Sequence, residues 1–224
     1  MLNHIRYSSR YLVNKLSSNN NNKKKIQFIH TLNSIEADLI SLQQLTSIYK
    51  ENPQLQNNVE KVANLIVNAP SVKVTGIGKS GYVGQRMSAT FASIGIGSQF
   101  IHGTEWYHGD LGSIRENDLI FGITHSGGTF ELLELAPLVK ERGGIFCSMV
   151  GIEDSPLTKL SDEHILAPIT NEILDKIPSR SIISQEVLIN ALASNIVELK
   201  GFVKSDFLYN HPGGSIGKNK SENN

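Results

Sequence analysis

The stretch VKVTGIGKSG, from Val72 to Gly81, decides the fold class of this chain. Its first four residues form a short run with high β propensity, and the run ends in the glycine-rich turn GIGKSG at positions 76–81. The pattern that follows predicts a helix from about Tyr82 to Ser93, which Gly95 closes. A strand that leads through a glycine turn into a helix is typical of a parallel α/β sheet.

The same succession of strand, turn and helix recurs along the chain. Further strands are predicted at residues 99–102, 118–124, 145–150 and 164–169, and further helices after residue 129 and over residues 183–200. Two helices at 28–49 and 58–68 precede them, separated by Asn52-Pro53. Short buried strands that alternate with helices predict a parallel sheet covered by helices on both faces.

Composition excludes several classes of protein. The 21 Lys and Arg residues balance the 21 Asp and Glu residues among 224, so no nucleic-acid or membrane-surface partner is expected. No apolar run approaches the ~18 residues that a membrane helix needs. The single cysteine, Cys147, excludes an internal disulfide framework and predicts a cytoplasmic protein.

The N-terminal segment differs in composition from the rest of the chain. Residues 1–26 include the tract SSNNNNKKK and predict a polar, disordered extension. Residues 1–35 also lack acidic residues and carry Arg6, Arg10 and Lys15, so an organelle transit peptide is the alternative. We expect one domain over residues 27–218 and a flexible tail at 219–224.

The first of two candidate binding turns is GIGKSG at 76–81. In such a sheet, ligands bind beyond the carboxyl ends of the strands, where loops lead into helix N-termini. Here Gly78 lets the backbone approach a ligand closely, Lys79 adds a charge and Ser80 adds a hydroxyl donor. The spacing matches neither a Walker A loop nor GxGxxG. The alternative is a glycine turn that only packs the helix against the sheet.

The second turn, THSGGT at 124–129, follows a predicted strand and opens a helix. Hydroxyls such as those of Ser126 and Thr129 around a glycine pair suit a phosphate dianion, and ordinary N-capping is the alternative. Two such turns in one sheet favour the anion site. Neither carries the acidic residues that would hold Mg²⁺ for a nucleotide, so we expect a small phosphorylated metabolite and no cofactor.

Titratable residues gather in three other segments. The stretch HGTEWYHGDLG at 102–112 suggests zinc, but its spacing matches no standard structural site, so no metal is predicted. Glu172 comes just after the last predicted strand, where a catalytic base often lies, and His211 lies in the loop HPGG. The alternatives for these two are a solvated carboxylate and a surface turn.

Four of these motifs together resemble a known superfamily. GIGKSG at 76–81, EWYHGDLG at 105–112, SGGTFELLE at 126–134 and NHPGGSIG at 210–217 are similar to the sugar-isomerase (SIS) superfamily, and within it to the D-arabinose 5-phosphate isomerases. The resemblance runs from about Phe28 to Lys218. It implies a five-stranded parallel sheet in a Rossmann-like three-layer αβα sandwich, and a homotetramer with active sites shared between subunits.

The resemblance also implies an activity and a set of residues. The activity is the interconversion of D-ribulose 5-phosphate and D-arabinose 5-phosphate, which supplies the precursor of Kdo, through an enediolate. We expect Glu172, with a pKa raised by partial desolvation, to be the base, His211 to open the ring from a neighbouring subunit, and Lys79 to stabilise the enediolate or phosphate. The other expected residues are His108 and Glu131 as further catalytic groups, and Gly78, Ser80, Ser126 and Thr129 at the phosphate.

Departures from the family pattern leave two rival functions open. Gly128 stands where the family has a glutamate, and residues 178–183 keep only part of a Ser/Thr-rich stretch. Longer members carry CBS domains after HPGG, which we expect to be missing here. The rivals are a non-catalytic phosphosugar-binding regulator and an SIS isomerase that acts on a different sugar phosphate.

Overall fold

A computed structural model of the chain describes residues 22–213, with side chains from residue 30 onward, and contains a five-stranded parallel sheet. The strand order is β2-β1-β3-β4-β5, and every pair of neighbours is parallel. From β1 the chain adds β2 on one side and then crosses back to add β3 on the other side. The order in which strands are added therefore reverses between β1 and β3, although all strands point the same way. The strands are β1 (Val72–Gly76), β2 (Ser98–His102), β3 (Leu119–Ile123), β4 (Ile145–Val150) and β5 (Glu163–Leu166).

Helices precede and connect the strands. The structure divides into two compact units after Ile40. The first unit contains the start of helix α1 (Asn22–Glu51), and the second contains the sheet. Two short 3₁₀ helices, Glu105–His108 and Asp110–Ser113, follow β2. The α-helices are α1 (Asn22–Glu51), α2 (Pro53–Asn68), α3 (Gly78–Ser93), α4 (Phe130–Glu141), α5 (Pro156–Leu160), α6 (Arg180–Leu199) and α7 (Lys204–Asn210). Residues 1–21 of the predicted N-terminal extension and the predicted tail at 219–224 lie outside the described residues.

Alternating side chains on the strands build a core on each face of the sheet. Phe121 and Ile123 of β3 belong to a cluster with residues of α2, α3 and α6, whereas Ile120 belongs to a second cluster with residues of α4 and α5. Strand residues alternate between faces, and both faces are covered. The predicted five-stranded parallel sheet in a three-layer αβα sandwich is therefore confirmed.

Several element boundaries differ from the predicted ones. Strand β5 ends at Leu166, before the predicted residue 169, because Pro168 has no N–H to continue the ladder after Ala167. Helix α2 begins at Pro53 because the side chain of Asn52 caps it by accepting from Gln54 N at 3.1 Å. Helix α6 begins at residue 180 rather than 183, and α7, α5 and the two 3₁₀ helices were not predicted.

Helix α6 is long and apolar enough to cross a membrane, by length and composition alone. Its buried face, however, belongs to the core of the sheet, since Leu188, Leu192 and Ile196 pack in the cluster that includes residues of α2 and α3. The core helix of an α/β protein passes the same compositional test, so the apolar character of α6 is explained by its place in the core.

A buried ion pair joins β1 to the residue before β3. Lys73 Nζ lies 2.6 Å from Asp118 Oδ2, and both side chains are less than 5% exposed. The same carboxylate oxygen accepts from Arg115 N at 2.9 Å, and the ammonium donates to Ser71 Oγ at 3.2 Å. Paired and hydrogen-bonded in this way, the two charges satisfy each other in the interior.

Candidate functional site

The turn after β1 opens α3 at the point where the strand order reverses. Gly78 has φ +58°, a conformation that favours glycine, and Ile77 at the N-cap provides no side-chain cap. The first N–H groups of α3 are therefore not occupied by a capping side chain. Lys79 is exposed and Ser80 half-buried in this first turn. Its position at the reversal of strand order is where ligands of open α/β sheets bind.

The turn after β3 lies beside it and opens α4. Thr124 Oγ1 and Thr129 Oγ1 are 2.7 Å apart, and Ser126 Oγ accepts from Gly128 N at 3.2 Å. Thr129 is the N-cap of α4 but makes no capping hydrogen bond with its side chain. Of the two residues that the sequence offered for ordinary N-capping, Thr129 makes no capping bond, and the backbone bond that Ser126 accepts comes from Gly128 N, which precedes the helix. The hydroxyls are grouped at a helix N-terminus, as an anion site requires.

The segment after β2 packs against the turn after β1 and the first turn of α4. The indole of Trp106, fully buried, donates to Thr75 Oγ1 at 3.0 Å, which fixes the segment on the end of β1. Tyr107 donates its hydroxyl to the carbonyl of Glu131 at 2.6 Å. A Cβ atom at Gly103 would lie 2.5 Å from Ile77 Cδ1, so with Ile77 in this position only glycine lets the segment approach the turn after β1 this closely.

The predicted residues Glu131 and His108 therefore lie on the β2 side of the paired turns. Glu131 is in the first turn of α4 and half-buried. His108 is exposed and directly follows Tyr107, whose hydroxyl contacts Glu131. Tyr107 was quoted in the sequence motif without a role. Only its hydrogen bond, made across 24 residues of sequence, shows that it ties the two segments together.

Glu172 caps α6 from outside the helix. Its Oε2 atom accepts from Ser179 N at 2.8 Å, Ser179 Oγ at 2.9 Å and Arg180 N at 2.9 Å. Its Oε1 atom accepts one longer bond, from Ser181 N at 3.3 Å. The carboxylate therefore occupies the positive end of α6, where N–H groups without intrahelical partners favour a negative charge.

These hydrogen bonds change the acidity of Glu172. Burial alone would raise its pKa, but the hydrogen bonds from Ser181, Ser179 and Arg180 outweigh burial and lower the pKa below its ordinary value. The predicted increase of this pKa by desolvation is therefore wrong. The loop that carries Glu172 places its carboxylate at the start of α6. The carboxylate is therefore surrounded by hydrogen-bond donors and not by apolar side chains. At neutral pH Glu172 is ionised.

A cavity of about 370 Å³ lies over the carboxyl ends of β3, β4 and β5. It adjoins the hydroxyl-rich turn, because His125 of that turn forms part of its wall. Glu172 lies in the wall contributed by the segment after β5. The lining residues are His125, Gly151, Ile152, Ile169, Thr170, Asn171, Glu172 and Asp175. Of the lining residues, the sequence analysis assigns a role only to Glu172, although His125 stands inside the motif singled out for phosphate.

His211 follows α7, near the C-terminal end of α3, and is therefore distant from the turn after β1. Its ring stacks on Phe207 with 4.0 Å between centroids, and its Nδ1–H donates to Phe207 O at 2.8 Å. The neighbouring Asn210 donates to Ser93 O, at the last residue of α3, whereas Lys79 lies at the start of α3. Because α3 has 16 residues, its two ends are about 24 Å apart. One chain therefore does not bring His211 to the other predicted residues.

The described chain thus brings most of the predicted residues to one edge of the sheet and leaves His211 apart from them. Lys79, Ser80, Ser126, Thr129 and Glu131 surround the reversal of strand order, and Glu172 lies beside it over β3 to β5. Within the described side chains, residues 30–213, no group of three His, Cys, Asp or Glu residues could hold a metal ion. The donor set of the site is one of hydroxyls, backbone N–H groups and single charges, which suits an anionic ligand.

Comparison with protein families gives a match that covers the whole sheet. The model of the SIS domain matches residues 65–195. Among curated proteins, the arabinose 5-phosphate isomerase KdsD of Pseudomonas aeruginosa is 39% identical over 156 residues, which cover 69% of this chain and 48% of the relative. The arabinose 5-phosphate isomerase KpsF of Escherichia coli is 37% identical over 183 residues, which cover 77% and 58%. The chain therefore spans about half the length of these relatives.

Solved structures agree with this fold. An Escherichia coli protein in complex with arabinose 5-phosphate is 31% identical, with a TM-score of 0.60, and the alignment covers 75% of this chain and 98% of that one. A proposed phosphosugar isomerase of Bacteroides fragilis, connected with capsule formation, is 29% identical, with a TM-score of 0.66 and coverage of 77% and 98%.

Proposed function

Because this chain belongs to the SIS domain family, we propose that it is a phosphosugar aldose–ketose isomerase that interconverts D-ribulose 5-phosphate and D-arabinose 5-phosphate. Relatives named arabinose 5-phosphate isomerase support the reaction, and a similar structure in complex with arabinose 5-phosphate supports the ligand. The observation that carries the proposal is the pair of anion-binding turns beside a cavity lined by the ionised Glu172.

The phosphate binds between the starts of α3 and α4. Ser80, Ser126 and Thr129 donate their hydroxyls, and the backbone after Gly78 donates N–H groups at the positive end of α3. Lys79 supplies a positive charge to the phosphate or to the enediolate oxygen. Preorganised charge of this kind contributes about 3–4 kcal/mol to transition-state stabilisation. Gly128, where the family has a glutamate, leaves the second turn without a negative charge that would oppose the phosphate.

Glu172 transfers the proton between the two carbons. In the direction from ketose to aldose, Oε1 takes the proton from C1, the C1–H electron pair forms the C1=C2 double bond, and the C2 oxygen takes the negative charge. The carboxylic acid then returns the proton to C2 while the hydroxyl proton on O1 moves to O2. Oε1 suits this role because the backbone bond that it accepts, from Ser181 N at 3.3 Å, is longer than the three bonds of 2.8–2.9 Å that Oε2 accepts.

His211 opens the sugar ring in the site of a neighbouring subunit. The separation of His211 from Lys79 by the length of α3 supports a shared site, because one chain alone does not bring the two together. The assembly is a homotetramer in the cytoplasm, and residues 27–218 form its isomerase domain. His108 and Glu131 complete the site on the β2 side, where Tyr107 holds the carbonyl of Glu131.

The test is turnover of a panel of pentose and hexose phosphates by the purified chain, together with Glu172→Gln. In this variant the amide oxygen can keep the bonds at the start of α6, while the amide nitrogen replaces the basic Oε1. We expect conversion between ribulose 5-phosphate and arabinose 5-phosphate by the wild type, and its loss with sugar-phosphate binding retained in Glu172→Gln. Unimpaired turnover by Glu172→Gln would refute the assignment of the base.

Deuterium exchange separates the isomerase from the two rivals. An isomerase catalyses exchange of solvent deuterium into ribulose 5-phosphate at C1, and a phosphosugar-binding regulator does not. Exchange and conversion with a hexose phosphate but not with the pentose phosphate would instead identify a different sugar as the substrate. Exchange with no member of the panel, despite binding, would overturn the isomerase proposal in favour of the regulator.

A further inference from the structure

An imidazole shares the cavity with Glu172. His125 lies in the second turn, immediately before Ser126, and lines the same cavity of about 370 Å³ as Glu172. We infer that His125 is a catalytic residue, which donates a hydrogen bond from Nε2–H to the sugar oxygen on which the enediolate charge develops. This inference rests on the proposed isomerase function and adds a residue to it.

The packing of the ring determines which nitrogen faces the cavity. The Nδ1–Cε1 edge lies against Gly151, where a Cβ atom would overlap both atoms. Nδ1 is buried and has no hydrogen-bond partner among the described residues. Gly151 N donates to His125 O at 2.9 Å, which fixes the backbone beside the ring. With Nδ1 enclosed, Nε2 is the nitrogen left for a ligand in the cavity.

The enclosed nitrogen also selects the tautomer. A buried N–H without an acceptor costs about 1–3 kcal/mol, and a buried acceptor is left unpaired more readily. The neutral ring is therefore more stable with its proton on Nε2 and an unprotonated Nδ1 against Gly151. His125 accordingly presents a hydrogen-bond donor to the cavity, whose wall also contains the carboxylate acceptor of Glu172.

A donor and a base in one cavity match the two needs of the reaction. The base removes the proton from carbon, and the donor stabilises the charge that forms on the neighbouring oxygen. The other imidazole in the proposal, that of His211, lies at the far end of α3 within one chain. Lys79 does not line this cavity and is exposed in the first turn. His125 therefore serves the enediolate oxygen, and Lys79 serves the phosphate.

The experiment compares His125→Leu, which has no donor, with His125→Gln, which keeps an N–H donor on a side chain of similar reach. We expect kcat for arabinose 5-phosphate to fall about 100-fold in His125→Leu with little change in KM, and to recover at least tenfold in His125→Gln. His164→Gln is the matched control, because this imidazole, which lies on β5, contacts Glu153 and does not line the cavity. A fall in affinity alone, with kcat unchanged in His125→Leu, would overturn the inference.

A second measurement does not depend on turnover. In ¹⁵N-histidine NMR of the full chain at pH 8, the His125 signal, assigned by its loss in His125→Gln, should show a proton on Nε2 and should shift when arabinose 5-phosphate is added. A proton on Nδ1, or no shift at saturating sugar phosphate, overturns the inference whatever the activity. If the wild type turns over no sugar phosphate while this signal behaves as expected, the proposed reaction fails but the donor role of His125 toward the bound sugar stands.

Discussion

Ser179 donates both its backbone N–H and its hydroxyl to Oε2 of Glu172, at 2.8 and 2.9 Å. The residue proposed as the base is therefore also the cap of α6, a core helix of 20 residues. Because most of the donors belong to the backbone at the start of α6, they hold the carboxylate in one position without relying on mobile side chains. The same bonds lower the pKa of Glu172, which keeps it ionised and makes it a weaker base.

The first prediction concerns the pH dependence of stability. The pKa of Glu172 is lower in the folded protein than in the unfolded chain, so its stabilising contribution is complete above about pH 4.3, the unfolded value, and is lost as pH falls through the folded value. Glu172→Gln should therefore be less stable than the wild type at pH 7, with a difference that shrinks below about pH 4. Urea unfolding across this pH range measures it.

A matched control is available on the same helix. Glu198 is exposed near the C-terminal end of α6, away from the helix start. Glu198→Gln should show no such change of stability difference with pH. A difference between wild type and Glu172→Gln that stays constant from pH 7 to pH 3 would show that the cap does not depend on the charge.

The second prediction concerns the buried pair Lys73–Asp118. Lys73→Met removes the ammonium and leaves the carboxylate, which is 3% exposed, without its charged partner. We expect a loss of about 3–5 kcal/mol in the free energy of unfolding. The control is Lys61→Met, which breaks the more exposed pair with Glu163 and should cost about 0–1 kcal/mol. Equal losses for the two variants, measured by denaturant unfolding, would contradict the prediction.

The sequence predicts the sheet well because its signals are local. Each strand is a short apolar run, and turns such as residues 76–81 and 124–129 give the points at which the chain leaves the sheet. Lys73 lies inside such a run, but the sequence does not predict that its charged side chain is buried. Its burial depends on Asp118, 45 residues away, and no local pattern contains that pairing.

The site is predicted less completely, because its geometry depends on long-range contacts. The apolar pattern predicts a start of α6 three residues too late, because the cap comes from Glu172 rather than from the residue before the helix. The same contacts reverse the expected direction of the pKa of Glu172. His125 received no role because only the approach of Gly151 shows how its ring is oriented.

The third prediction concerns Cys147, which lies within β4 and is fully buried. Burial, with a smaller contribution from the negative charge of Asp162, raises the pKa of its thiol to about 12. Because the thiolate is the reactive species, a thiol reagent at pH 8 should not label the folded protein but should label one thiol per chain in about 6 M guanidinium. Stoichiometric labelling under native conditions, with unfolding excluded by far-UV circular dichroism, would show that β4 opens readily.

The fourth prediction concerns the hydrogen bond that fixes the segment after β2 on the sheet. Thr75→Val removes the acceptor and leaves the Nε1–H of the fully buried Trp106 unsatisfied, whereas Thr75→Ser keeps a hydroxyl. Since a buried donor without a partner costs about 1–3 kcal/mol, Thr75→Val, which keeps the shape of threonine, should be destabilised by about that amount relative to the wild type. Trp106 is the only tryptophan of the chain, so its fluorescence follows both unfolding and the local change. Equal stability of Thr75→Val and the wild type would mean that the indole finds another acceptor, and that the bond to Thr75 does not fix the segment carrying Tyr107 and His108.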